Sequence, residues 1–173
     1  DTDPIMFVAR SFDINRPGTA VKKLSGGILG GSIVQGKIKV GDVIEIKPGT
    51  KVGEKYQTLN SEVVGLKKGN FELEEAGSGG LLGLMTRLDP FLTKSDSLVG
   101  NVIGLAGHLP PMHEKINLEM NLLQRVVGAE DFADVKPIKI GENLLLNVGT
   151  ARSLGSVTET KKGKVELELK IPI

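Results

Sequence analysis

The chain has 173 residues, a net charge of +1, 39% apolar residues and 25% charged residues, room for one large or two small globular domains. That charge balance excludes a strong global field for nucleic acid, so RNA contact has to come from local patches. The absence of cysteine excludes disulfides and thiolate metal sites and suits a reducing compartment, and no apolar run approaches the ~18 residues of a membrane helix. Asp1-Thr2-Asp3-Pro4 is acidic where a signal peptide is basic, and the abrupt start is expected of a domain fragment.

Strand-like runs follow one another at Ile5-Arg10, Ile28-Gln35, Val43-Lys47, Tyr56-Leu66, Leu81-Thr86 and Leu98-Ala106, separated by Gly, Pro, Asn and Asp. The stretch from Gly26 to Gly53 alternates apolar and polar residues and turns on Gly41-Asp42, the pattern of a β-meander. Leu109-Pro110-Pro111-Met112 reads as an interdomain link, because two successive prolines stiffen the chain and remove donors. Beyond it, Ile116, Leu118, Met120 and Leu122 alternate, Glu130-Val135 is faintly helical, and strands are expected at Leu144-Val148, Leu154-Thr160 and Val165-Ile171. So many strands with so little helix predict closed barrels or sandwiches. The last strand stops two residues short of the end, so the second unit, about four strands, is expected to be truncated.

Catalytic chemistry is hard to assemble. A phosphate loop needs GxxxxGK followed by Ser or Thr, but Gly36-Lys37 precedes Ile38 and Gly163-Lys164 precedes Val165. His108, His113 and Glu114 could in principle ligate zinc, yet the stiff prolines between the histidines argue against convergence, and no metal is expected. Glu72, Glu74 and Glu75 read as a solvated loop. The lysine pairs Lys22-Lys23, Lys37 with Lys39, Lys67-Lys68 and Lys161-Lys162-Lys164 read mainly as solubility features. Gly79-Gly80-Leu81-Leu82-Gly83-Leu84 stands apart: glycines in an apolar strand cost stability, so either a tight barrel bend or the close approach of a flat ligand group needs them.

Gly36-Lys37-Ile38-Lys39-Val40-Gly41-Asp42 resembles the second domain of translational GTPases. Arg10 to Thr19, Gly26 to Gly36, Gly79 to Gly83, Leu88 to Asp96, Asn121 to Gly128 and Leu145 to Thr150, taken in order, resemble the gamma subunit of archaeal and eukaryotic translation initiation factor 2, in its archaeal form. The resemblance implies an all-β fold of two consecutive β-barrels of the translational-GTPase domain II/III type, the first over 1–110 and the truncated second over 111–173. It implies a cytoplasmic protein that delivers initiator methionyl-tRNA to the small ribosomal subunit, as a heterotrimer with alpha and beta subunits and with no membrane partner. Alpha is expected on the first barrel, where the exposed turn with Asp13, Asn15 and Arg16 is the expected contact. Beta is expected mainly on the GTPase domain, which this chain lacks together with its GTP and magnesium; no cofactor is expected here. By the same resemblance the tRNA 3′ end sits against Gly26, Gly27 and Ile28 and the strand carrying Gly80, Leu84 and Arg87. The alternatives are a purely structural, protein-binding barrel module or another tRNA-delivering factor, such as the selenocysteine-specific elongation factor.

Overall fold

The computed structural model describes residues 2–122 and 136–173; the expected helix at Glu130-Val135, and the part of the Asn121-Gly128 string from Leu123 onward, lie outside them. The chain divides into two compact units, Asp1–Met112 with Val148–Ala151, and His113–Asn147 with Arg152–Ile173.

The first unit contains β1 (Ile5–Phe12), β2 (Ile28–Gln35), β3 (Lys37–Lys39), β4 (Val43–Val52), β5 (Lys55–Lys68), β6 (Phe71–Leu73), β7 (Glu75–Gly77), β8 (Leu82–Thr86), a single helical turn α1 (Pro90–Thr93) and β9 (Val102–Leu105). Its main sheet runs β4-β9-β1-β2-β8-β5 and returns to β4, which closes a six-stranded antiparallel barrel; β6 adds to the side of β5, and β3 with β7 forms a separate ribbon. Alternation drives one residue in two inward. Met6, Val8, Leu29, Ile44, Ile46, Val63, Leu66, Leu84 and Ile103 are fully or almost fully buried and form one cluster.

Three sequence expectations change here. The Leu98-Ala106 strand shortens to β9 because Asn101 turns its side chain inward: its Nδ2 donates to Leu98 O at 3.0 Å, and its Oδ1 accepts from Gly49 N at 2.7 Å. Glu72, Glu74 and Glu75 do not form a loop throughout; Glu72 lies on β6 and Glu75 on β7, where Glu75 binds Lys37 at 2.7 Å and Lys39 at 3.2 Å. Asp89-Pro90 starts a helical turn that periodicity alone did not signal, with the Asp89 carboxylate accepting from Phe91 N at 2.9 Å.

The second unit is an antiparallel sheet in the order β10-β13-β12-β11, from β10 (Lys115–Glu119), β11 (Asn143–Val148), β12 (Ala151–Lys161) and β13 (Lys164–Leu169). Val157, Val165, Leu167 and Leu169 form its buried face, with Ile116, Leu118, Leu144 and Leu146 packed against them. The sheet is open among the described residues, and both units are all-β, as the sequence predicts.

Barrel closure brings backbones close where glycine stands. A Cβ on Gly31 would lie 1.9 Å from Phe7 O, on the neighbouring strand. Gly31→Ala is therefore expected to cost at least about 2 kcal/mol, read as a lower denaturant midpoint; an unchanged midpoint would contradict the stated β1–β2 packing.

Candidate functional site

Leu82, Leu84 and Thr86 point into the barrel, so Gly83 and Met85 face outward on β8. Pairing carries that outer face across the neighbouring strands in two rows. One row reads Arg10, Gly30, Gly83, Lys67 and Glu72; the next reads Phe12, Ile28, Met85 and Gly65. Directly paired residues share a face. Gly30 and Gly83 thus leave a strip of bare backbone with a cation on each side. With strands about 4.8 Å apart, the Arg10 and Lys67 backbones lie roughly 14 Å from each other.

The second row leads into a cavity of about 160 Å³ lined by Val40, Val64, Gly65, Lys67, Glu72 and Met85, among others. Its walls are polar and apolar in about equal measure, and its rim carries a Lys67–Glu72 ion pair at 3.1 Å. Pockets for whole small-molecule ligands run to about 300–1,000 Å³, so this one suits a single flat group.

The glycines sort by what the fold requires. A Cβ on Gly26 would lie 1.8 Å from Thr86 O, and one on Gly27 would lie 2.3 Å from the Thr93 side chain. Both are needed to seat the start of β2 against β8 and α1, an arrangement tied by Thr86 Oγ1 donating to Gly27 O at 2.7 Å. Gly83 differs: the nearest atom to an added Cβ is Lys67 O, at 3.7 Å, an ordinary contact. Packing leaves room for a side chain there, yet the strand carries none.

Of the residues expected from the sequence to meet the tRNA end, Gly26, Gly27 and Ile28 lie along the β2 side of β8, and Arg87 lies just beyond its end. Leu84 is 0% exposed in the barrel core, so its side chain meets no ligand. Gly80 sits in the turn before β8 at φ +76, beside Lys68, whose Nζ donates to Gly79 O at 3.1 Å. Seven residues along the chain, roughly 20 Å if nearly extended, separate it from Arg87. Sequence reasoning missed Gly65, Gly83 and Met85 as members of one outer surface. Gly83 lies within the run from Gly79 to Leu84, but which face it takes depends on its neighbours in the sheet.

Exposed charges around the strip are paired. Arg87 Nε donates to Glu62 at 2.7 Å, and this hydrogen bond, helped by the charge attraction, holds the Glu62 carboxyl below its ordinary value. Arg10 Nε donates to Asp96 at 2.9 Å and Ser11 N donates to the same oxygen at 3.0 Å, which lowers Asp96 likewise. Such solvent-exposed pairs contribute little to stability, so a phosphate can take over the guanidinium at small cost.

The long loop after β1 closes on itself. Asp13 Oδ1 accepts from the Asn15 backbone N at 2.7 Å, and Asn15 exchanges hydrogen bonds of 2.8 Å with the backbone of Ser25. Asp13 and Asn15 therefore shape the loop, while Arg16 offers its carbonyl to Thr19 and leaves its guanidinium outside that network. The same loop exposes Ile14, Leu24 and, at 83%, Val21. His108 binds Asp3 at 3.1 Å. No group of three metal-ligating side chains, and no helix long and apolar enough to cross a membrane, occurs among the described residues.

A closed six-stranded barrel followed by a second antiparallel unit, with its outer face open around glycines, defines an all-β barrel protein of the translational-GTPase domain II/III class. Residues 114–173 match the family model "Initiation factor eIF2 gamma, C terminal". Over 98% of its length the chain is 55% identical to the translation initiation factor 2 subunit gamma of Thermococcus onnurineus and to that of Pyrococcus furiosus, covering 42% of each; it is 51% identical to that of Methanocaldococcus jannaschii, covering 43%. Over nearly its whole length the chain is similar to translation initiation factor 2 gamma subunits, and it spans about two-fifths of the length of these relatives.

The Arg87–Glu62 bond sets a titration. Because the folded Glu62 carboxyl lies below its ordinary 4.5, its contribution is present above that value and fades as pH falls through the folded one. In Arg87→Ala, Glu62 should titrate closer to 4.5 by side-chain carboxyl NMR; an unmoved titration would contradict the pairing.

Proposed function

We propose that this chain is the tRNA-holding and subunit-docking part of a translation initiation GTPase that carries initiator methionyl-tRNA to the small ribosomal subunit. Residues 1–110 act as the domain II barrel and 111–173 as the start of domain III. The observation that carries the reading is the outer strip of Gly30 and Gly83 between Arg10 and Lys67, leading to the cavity at Met85. A single-stranded 3′ end combines a phosphate backbone that seeks cations with a flat base that has an apolar face and polar edges. The bare strip lets the sugar-phosphate chain lie against the strands, Arg10 and Lys67 supply charge, and the cavity takes the terminal base. Arg87, two residues beyond Met85, reaches the same margin with a guanidinium suited to phosphate. The names of the relatives support the translational setting. GTP and magnesium bind a part of the longer protein outside this chain, which is also where the beta subunit docks.

The alpha subunit docks on the loop after β1. Val21, Ile14 and Leu24 form its apolar contact and Arg16 a polar one, while Asp13 and Asn15 hold the loop's shape.

Gly83→Ala tests the RNA reading cleanly, because the added methyl fits the fold but fills the strip. In the GTP-bound, full-length gamma subunit carrying this segment, it should weaken initiator methionyl-tRNA binding about tenfold, near 1.4 kcal/mol, with thermal stability retained. Full affinity in Gly83→Ala would remove the strip from the RNA path. Equal binding of charged and uncharged tRNA would favour the purely structural module. Val21→Asp should cut alpha-subunit affinity about tenfold in a pull-down titration while leaving tRNA binding intact; unaltered capture of alpha would place docking elsewhere.

A further inference from the structure

One buried charge serves neither the RNA surface nor the docking loop. Glu45 lies on the outer side of β4 yet is only 6% exposed, because the chain leaving β9 folds back over it. Its Oε1 accepts from Leu109 N at 2.7 Å. Its Oε2 lies 3.4 Å from Lys47 Nζ, two residues along the same strand face. Lys47 Nζ also donates to Leu109 O and to Pro110 O, both at 3.2 Å. One side chain thus holds the amide of Leu109, and the other holds the two carbonyls that follow it.

Packing completes the arrangement. Gly104 on β9 pairs directly with Glu45, and a Cβ on Gly104 would lie 2.6 Å from Leu109 Cδ2. The Leu109 side chain therefore occupies the space a side chain at Gly104 would need, and Leu109 is buried. Pro110 has no N–H to offer, so its carbonyl is the group by which the backbone can be gripped there, and Lys47 grips it. Burying a carboxylate is costly unless it is paired and hydrogen-bonded; here it is both, and the groups that satisfy it are the linker's own backbone and the lysine that also holds that linker.

We infer that Glu45 and Lys47 form an ionic strap that fastens the outgoing linker through Pro110 onto β4 and β9. The strap is a separable device: it joins one short segment to the outside of the barrel, and the core residues Ile44 and Ile46 face the other way. Removing either charge leaves its partner withdrawn from solvent without a counter-charge, so each single substitution should release the linker further than its lost hydrogen bonds alone require. Replacing both by neutral groups removes that excess, so the double variant should lose less than the two singles combined.

Hydrogen exchange of the Leu109 amide in the 173-residue chain tests this directly, with the Val8 amide, which donates to Asn101 O in the barrel core, reporting global opening. In the unsubstituted chain Leu109 should exchange at least about 100-fold more slowly than an unstructured amide. Glu45→Ala and Lys47→Met should each accelerate it by about tenfold or more while Val8 stays protected. Glu45→Ala combined with Lys47→Met should fall short of the product of the single effects. An unprotected Leu109 in the unsubstituted chain would overturn the strap, as would no change in either single variant. Loss of protection at Leu109 and Val8 together would also overturn it, since the pair would then be ordinary barrel stability.

Discussion

The pairing of β4 with β5 closes the first unit into a ring, and the placement of every functional group on that unit depends on it. An open sheet can tolerate a local slip in register, whereas in a closed barrel the tilt and stagger of all strands are linked. Because side chains alternate with period two, a one-residue slip of β8 would turn Leu82 and Leu84 out and bring Gly83 and Met85 in. Closure therefore fixes two things together: an aliphatic core around Leu84 and Ile46, and an outer surface on which Gly30, Gly83 and Gly65 fall into adjacent paired rows.

The same ring explains why its glycines have different origins. Gly26, Gly27 and Gly31 stand where another strand or turn leaves no volume for a Cβ. Gly83 has that volume and does without it, so packing alone does not account for the glycine there, and the proposed RNA path would use the bare surface. The surrounding charges follow a similar division. Arg10, Lys67 and Arg87 sit in exposed pairs that are cheap to exchange, whereas Glu45 and Lys47 are withdrawn from solvent and committed to the linker. The exposed pairs suit reversible contact with a charged partner; the withdrawn pair suits permanent fastening.

The fold class was legible in the sequence because period-two runs between Gly and Asp turns leave little choice: β1, β2, β4 and β5 all contain the segments read as strands, and β8 starts one residue inside its segment. The three-residue strands β6 and β7 are too short to show a period, so Glu72 and Glu75 passed for loop. The site was less legible. Gly79 to Leu84 offers leucines at 81, 82 and 84, a run that does not reveal which of them face inward. Only the pairing of Leu84 with Leu29 and Leu66 sends it to the core and sets Gly83 and Met85 outside. Asp13 and Asn15 read as exposed turn residues, which they are, but their side chains close the loop, a use that depends on Ser25 ten residues later. The cavity draws on β5, β6, β8 and the residue after β3, and so had no signature within any one segment.

The most direct test of the RNA surface is to follow the isotope-labelled chain by NMR while adding a short single-stranded RNA ending in CCA with a free 3′ hydroxyl. The Met85 methyl and the amides of Gly30, Gly65 and Gly83 should shift together and saturate together, with Leu84 methyls and the Gly80 amide little affected. Shifts centred on Gly80, or a spectrum that ignores the RNA while the barrel remains folded, would contradict the account.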